Sequence, residues 1–166
     1  MKIVARPRAA TGRSRPAAER SGTGGVTTTQ LRYVESSALV AALLERDTDV
    51  TRRAPAGTRR VTSALTLAEA GRAIIRARAT GRLTAEQEKA AVRALRTFER
   101  RCFVLEVTQA VLDRVRRPFP VEPIRTLDAI HLATAELLGD PPQLVTIVTR
   151  DERIRANAEA LGYAVE

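Results

Sequence analysis

Four carboxylate residues stand at the junctions between predicted structural elements. Glu35 ends an apolar stretch that predicts a β-strand, and Asp151 follows a second such stretch, residues 144–149, after a single intervening residue. Glu69 and Asp128 each lie in the first turn of a predicted helix. Carboxylate oxygens are the ligands that hard divalent cations such as Mg²⁺ prefer, and helix N-termini favour negative charge. We therefore predict that these four acids form a divalent-metal site.

Three of the four acids also fit a structural interpretation, because they belong to helix-capping patterns: residues 66–69, 126–128 and 149–152. Glu35 fits that interpretation least well. A carboxylate at the end of a hydrophobic strand is costly to bury unless it binds something. The shared position of all four acids favours the metal site over four separate caps.

The remaining reactive residues exclude several other chemistries. The chain has one histidine, His131, and one cysteine, Cys102, so neither a multi-histidine metal cage nor a disulfide framework can form. His131 lies one helical turn after Asp128, and we expect it to be a core residue or to support a metal ligand. A catalytic triad built on Ser36 and His131 lacks the nucleophile-elbow pattern. We expect Cys102 to be buried and inert.

The charge distribution indicates a polyanionic partner. The net charge is +9, and residues 1–30 contribute six basic groups against one acid. All but two of the 28 basic residues are arginines, whose forked side chains suit phosphate, although codon bias explains the same excess. An aromatic content of 3% argues against RNA-binding modules that stack bases on aromatic side chains. The composition thus favours nucleic acid bound through its phosphates.

Hydrophobic periodicity predicts alternating strands and helices after a disordered basic extension, residues 1–30. The predicted strands are residues 31–34, 61–63, 102–107, 144–148 and 163–165, and the predicted helices are 37–45, 66–79, 84–100, 108–116, 126–138 and 151–161. We place N-caps at Ser36, Thr66 and Thr126. This alternation predicts one α/β domain, residues 31–166, with a parallel sheet covered by helices on both faces. We see neither a membrane span nor a signal peptide and expect a cytoplasmic protein.

Four stretches of the chain, in this order, resemble the PIN-domain family and, more narrowly, VapC-type toxins of type II toxin–antitoxin systems: residues 33–40 (YVESSALV), 63–69 (SALTLAE), 125–135 (RTLDAIHLATA) and 148–154 (VTRDERI). The third stretch is the most specific. The resemblance covers residues 31–166 and implies a three-layer α/β/α sandwich with a central, mainly parallel sheet.

The resemblance also implies a function, an endoribonuclease dependent on Mg²⁺ or Mn²⁺ that a co-encoded antitoxin silences. It maps the catalytic and metal-binding acids onto Glu35, Glu69, Asp128 and Asp151, and substrate-contacting hydroxyls onto Ser36 and Thr149. A homodimer is compatible with the family. From the charge pattern we add Arg72 and Arg76, one turn apart after Glu69, as candidates to bind RNA.

One position departs from the family, which has aspartate where this chain has Glu35. The additional methylene moves the carboxylate by about 1.5 Å. A PIN-like module that binds RNA or a protein without cleaving is therefore the alternative function. An α/β phosphatase and a DNA-specific nuclease are further alternatives.

Overall fold

A computed structural model describes residues 29–45 and 56–166. The predicted disordered extension, residues 1–30, lies almost entirely outside the described residues. The strands are β1 (Gln30–Val34), β2 (Thr58–Ser63), β3 (Phe103–Leu105), β4 (Val145–Val148) and β5 (Ala164–Val165). The helices are α1 (Ser36–Leu44), α2 (Ala64–Ala79), α3 (Ala85–Glu99), α4 (Gln109–Val115), α5 (Thr126–Glu136) and α6 (Glu152–Ala160). A single 3₁₀ turn, Pro142–Leu144, precedes β4.

The five strands form one parallel sheet in the order β3-β2-β1-β4-β5. The central strand β1 pairs with β2 on one side and with β4 on the other. Because all strands run in the same direction, their carboxyl ends meet at one edge of the sheet, where parallel sheets bind ligands. The predicted α/β/α sandwich is confirmed.

Side chains of β1 alternate between the two faces of the sheet. Leu31 and Tyr33 belong to a core shared with residues of α4, α5 and α6. Val34 belongs to a second core, with Leu39 of α1 and Phe98 of α3. The strand is therefore buried on both faces, which explains its apolar character and makes Glu35, directly after it, an unusual neighbour.

The predicted N-caps of three helices are wrong. Helix α1 is capped by Glu35 and not by Ser36, because the Glu35 carboxylate accepts a hydrogen bond from the Ser37 amide. Helix α2 begins earlier than predicted, because Ser63 is its cap, and Thr66 lies inside the helix.

At α5 the cap residue is Arg125, with no side-chain hydrogen bond, so Thr126 does not cap this helix. Strand β3 is also shorter than predicted. It begins after Cys102, which is half-buried.

The loop before α5 is held in place by one buried side chain from α6. Asn157 is 1% exposed. Its amide group accepts a hydrogen bond from the Val121 amide, at 2.9 Å, and donates to the Val121 carbonyl, also at 2.9 Å. The Glu122 carboxylate closes the same loop by accepting from the Phe119 and Ile124 amides. These bonds fix the segment that leads into α5.

Among the described helices, none is both long enough and apolar enough to span a bilayer.

Candidate active site

Glu35 is the most buried acid of the candidate site, with 2% of its surface exposed. One carboxylate oxygen, Oε2, accepts hydrogen bonds from the Ser37 amide at 3.0 Å, from the Ser37 hydroxyl and from the Thr149 hydroxyl at 2.9 Å. The other oxygen, Oε1, accepts from the Ser36 hydroxyl. Such donors replace the water that a buried carboxylate loses. The group is thus held rigidly at the end of β1.

His131 links this carboxylate to Glu69. Its Nε2 atom lies 2.8 Å from Glu69 Oε2 and 3.6 Å from Glu35 Oε1, while Nδ1 lies 3.4 Å from the Tyr33 hydroxyl. One donor atom from each of Glu35, Glu69 and His131 lies within 4.8 Å of the other two. Burial alone would raise the pKa of Glu69, but the hydrogen bond and charge of His131, with a contribution from Ser36, lower it.

Asp128 faces the same edge from the first turn of α5. Burial raises its pKa, and the negative charges of Asp151 and Glu35 raise it further, against a lowering effect of Arg125. Its Oδ2 atom is buried, and no group in the described part of the chain forms a hydrogen bond with it. An unpartnered buried carboxylate oxygen among other carboxylates is the arrangement that a cation would satisfy.

Asp151 has a structural role as well, because it is the N-cap of α6. Its Oδ1 atom accepts from the Arg153 amide at 2.8 Å and from the Ile154 amide at 3.3 Å. The Thr149 hydroxyl in turn accepts from the Asp151 amide at 3.1 Å. The capping interpretation and the site interpretation therefore both apply to this residue.

Among the described residues, the structure brings two of the four predicted acids into one group of close donor atoms, and Asp128 and Asp151 lie outside that group. Glu35 and Glu69 are in direct reach of one cation, with His131 as a third donor. Asp128 interacts electrostatically with both Asp151 and Glu35. The residue types fit a divalent ion, since they offer mainly carboxylate oxygens.

The predicted substrate residues differ in their positions. Ser36, Arg72 and Arg76 line a groove of about 470 Å³ that also contains Glu69 and reaches the exposed Leu127. In contrast, Thr149 is 2% exposed and its hydroxyl is bonded to Glu35.

Sequence reasoning missed one residue of this site, Ser37, and anticipated another, His131. Ser37 donates to Glu35 through both its amide and its hydroxyl, and it accepts from the Arg150 amide at 2.8 Å. His131 is buried and lies 2.8 Å from the Glu69 carboxylate, which agrees with the prediction of a core residue that supports a metal ligand. Its spacing of three residues from Asp128 was the available signal, because it places both on one helix face.

Comparison with known proteins identifies the family. The family model for the PIN domain matches residues 32–160. The chain is 42% identical over 136 residues to Ribonuclease VapC46 of Mycobacterium tuberculosis, covering 80% of this chain and 94% of that protein. It is 45% identical to Ribonuclease VapC35 of the same species over 56 residues, 34% of this chain and 42% of the relative.

Solved structures share the fold at lower identity. PAE2754 from Pyrobaculum aerophilum has a TM-score of 0.53 and 24% identity over 90% of this chain and 92% of that one. VapBC-1 from nontypeable Haemophilus influenzae has a TM-score of 0.52 and 15% identity over 82% and 96% of the respective chains. With the family model covering most of its length and a close VapC relative, the chain is a PIN-domain protein of the VapC family.

Proposed function

We propose that this protein is a divalent-metal-dependent endoribonuclease, acting as the toxin of a type II toxin–antitoxin pair. The observation that carries the proposal is the arrangement of Glu35, Glu69, Asp128 and Asp151 around the carboxyl edge of β1 and β4. The similarity to Ribonuclease VapC46 favours cleavage over a module that only binds.

In this proposal Glu35, Asp128 and Asp151 hold one ion, with Glu69 shared or directed to a second. A bound Mg²⁺ or Mn²⁺ would activate a water molecule and neutralise charge on the phosphate. The hydroxyls of Ser36 and Thr149 keep Glu35 oriented, since both donate to its carboxylate. The chain therefore needs no nucleophilic side chain.

The groove beside Glu69 supports a role in binding the RNA backbone. Arg72 and Arg76 are exposed along its length, and within residues 29–45 and 56–166 neither side chain has an ion-pair partner. Arginine binds phosphate through paired hydrogen bonds. The exposed Leu127 side chain at the end of the groove offers an apolar surface to a base.

Asp128→Asn tests the nuclease. We expect RNA cleavage with Mg²⁺ or Mn²⁺ to be lost, while the far-UV circular dichroism spectrum is unchanged. Asp113→Asn is the matched control, because Asp113 lies on α4 in an exposed pair with Arg116. Full cleavage by the Asp128 variant would refute the site. Equal cleavage of DNA oligonucleotides would instead support the DNA-nuclease alternative. Turnover of small phosphate esters would support the phosphatase alternative.

The proposed antitoxin contact is a groove of about 510 Å³ between the end of α1 and α3. Its apolar surface includes Leu43, Leu83 and Phe98, and the basic side chains Arg93 and Arg101 stand at its border. These features suit an amphipathic segment that carries apolar residues on one face and carboxylates on its flanks.

Ala94→Glu would place a charge inside this groove, and Ala79→Glu, at the exposed end of α2, is its control. We expect only the former to weaken co-purification with the co-encoded antitoxin. Equal recovery from both variants would exclude this groove. We further propose that the substrate is RNA and that the protein acts in the cytoplasm. We also propose that it forms a homodimer, and light scattering tests this oligomeric state.

A further inference from the structure

We propose that the imidazole of His131 binds the metal directly, forming with Glu35 and Glu69 a mixed nitrogen–oxygen site for a divalent transition metal ion. The proposal deepens the proposed function, on which it rests, by adding a fifth residue to the four acids. It also names the class of ion, for which Mn²⁺ and Cd²⁺ serve as probes.

The first argument is the separation of the donor atoms. His131 Nε2 is 2.8 Å from Glu69 Oε2 and 3.6 Å from Glu35 Oε1, and all three donors lie within 4.8 Å of one another. Ligands with metal bonds of about 2.1 Å in an octahedron are about 3 Å apart when adjacent and about 4.2 Å apart when opposite. One ion can therefore contact all three groups after small side-chain movements.

The second argument is the group behind the ring. A histidine that binds metal through Nε2 carries its proton on Nδ1 and usually donates it to a neighbouring acceptor. Here the Tyr33 hydroxyl is 3.4 Å from Nδ1, and the side chains of Ser63 and Thr134 lie near enough to lower its pKa. A phenol that donates to one of these hydroxyls can accept from Nδ1, so that a metal ion can take the place of the proton that Nε2 shares with Glu69 in the metal-free protein.

The third argument is the length of Glu35. Its Oε2 atom is engaged by Ser37 and Thr149, and Oε1, which accepts one bond from the Ser36 hydroxyl, is the atom that approaches His131. An aspartate would withdraw the carboxylate by about 1.5 Å. The glutamate that departs from the family pattern thus brings an oxygen within reach of the imidazole.

The donor set determines the class of ion. All-oxygen sites suit Mg²⁺, whereas an imidazole nitrogen favours first-row transition metals. The acids Asp128 and Asp151 lie outside this group of three and remain available for an all-oxygen site. We therefore expect His131 to contribute strongly to the affinity for Mn²⁺ and little to the affinity for Mg²⁺.

The test uses the fact that the chain contains one histidine. The full-length protein, without a histidine tag, is labelled with ¹⁵N-histidine, stripped of metal and titrated with ¹¹³Cd²⁺. Direct binding splits the Nε2 resonance by one-bond coupling to cadmium, and Nδ1 retains its proton. A cadmium-bound protein whose Nε2 keeps its proton and shows no splitting would overturn the proposal. In that case His131 only positions Glu69 through a hydrogen bond.

A second measurement compares ions by calorimetry. His131→Gln should weaken Mn²⁺ binding at least about tenfold and change Mg²⁺ binding less than about threefold. Equal losses for both ions count against the proposal. The outcome is separable from the proposed function, because a nuclease that cleaves RNA with Mg²⁺ but shows no cadmium–nitrogen coupling retains the function and loses only this inference. A protein that shows cadmium–nitrogen coupling but does not cleave RNA would retain this inference and lose the proposed function.

Discussion

Thr149→Val tests how far the buried Glu35 carboxylate depends on its hydroxyl donors. Thr149 is 2% exposed, so valine fills the same volume without the hydroxyl. Thr62→Val is a matched control, because Thr62 is 0% exposed and donates to the neutral carbonyl of Val34 at 2.8 Å. The two substitutions differ in the charge of the acceptor and in the additional bond that the Thr149 hydroxyl accepts from the Asp151 amide.

The expected magnitudes follow from these partners. A hydrogen bond to a charged group contributes about 1.5–3 kcal/mol, and a neutral one about 0.5–1.5 kcal/mol. Thr149→Val removes the hydrogen bond that the hydroxyl donates to Glu35 and also the one that it accepts from the Asp151 amide. We therefore expect Thr149→Val to lower the free energy of unfolding by about 2–4.5 kcal/mol, and Thr62→Val by about 0.5–1.5 kcal/mol.

Equilibrium unfolding in urea, followed by far-UV circular dichroism on metal-free protein, measures both variants. For a chain of this size a loss of about 3 kcal/mol lowers the melting temperature by about 6–12 °C. If the two variants agree within about 0.5 kcal/mol, the hydroxyl of Thr149 gives Glu35 no special support, and the reasoning fails.

Three further predictions concern the same region. Burial and nearby carboxylates raise the pKa of Asp128, so its ionisation destabilises the fold as the pH rises through that pKa. Asp128→Asn cannot ionise and removes this loss. In urea unfolding at neutral pH, the metal-free variant should therefore be more stable than the wild type. Glu35→Asp should weaken Mn²⁺ binding relative to Mg²⁺ in calorimetry, because the shorter side chain withdraws from His131. Asn157→Ala should cost about 1–3 kcal/mol in the free energy of unfolding, because the two hydrogen bonds between its side chain and the Val121 backbone are lost. A loss below about 1 kcal/mol would show that the loop is held by other contacts.

The order of strands and helices could be predicted because its signals are local. The apolar run at residues 144–148 predicts a strand buried on both faces, and the structure has β4 there. Gly81, Gly139 and Gly162 adopt positive φ angles of 74°, 76° and 90° just after helices, where glycine is favoured. Such features are set by a few neighbouring residues.

Helix caps were less predictable, because several residues near a helix start can serve as the cap. Both Ser63 and Thr66 carry a suitable hydroxyl, and only the extended backbone of Ser63 makes it the cap. At the start of α1, Glu35 is the cap because its backbone is still extended after β1 and its carboxylate reaches the Ser37 amide.

The site was predictable in outline and not in detail. Parallel strands bring their carboxyl ends together whatever their sequences, so the edge at Glu35 and Asp151 follows from the fold class. The direction of the His131 ring does not, because it depends on Tyr33 below it and on the position of α2 beside it. These contacts join residues 62 and 98 positions apart, which no local pattern encodes.

The pairing of β1 with β4 also sets how late during synthesis the proposed nuclease site can assemble. The bond between Thr149 and Glu35 joins residues 114 positions apart, and Asp128 and Asp151 follow late in the chain. A ribosome must therefore translate nearly the whole message before the acids can meet. Incomplete chains released early carry Glu35 and Glu69 alone, so under the proposed function they lack two of the four acids that RNA cleavage requires.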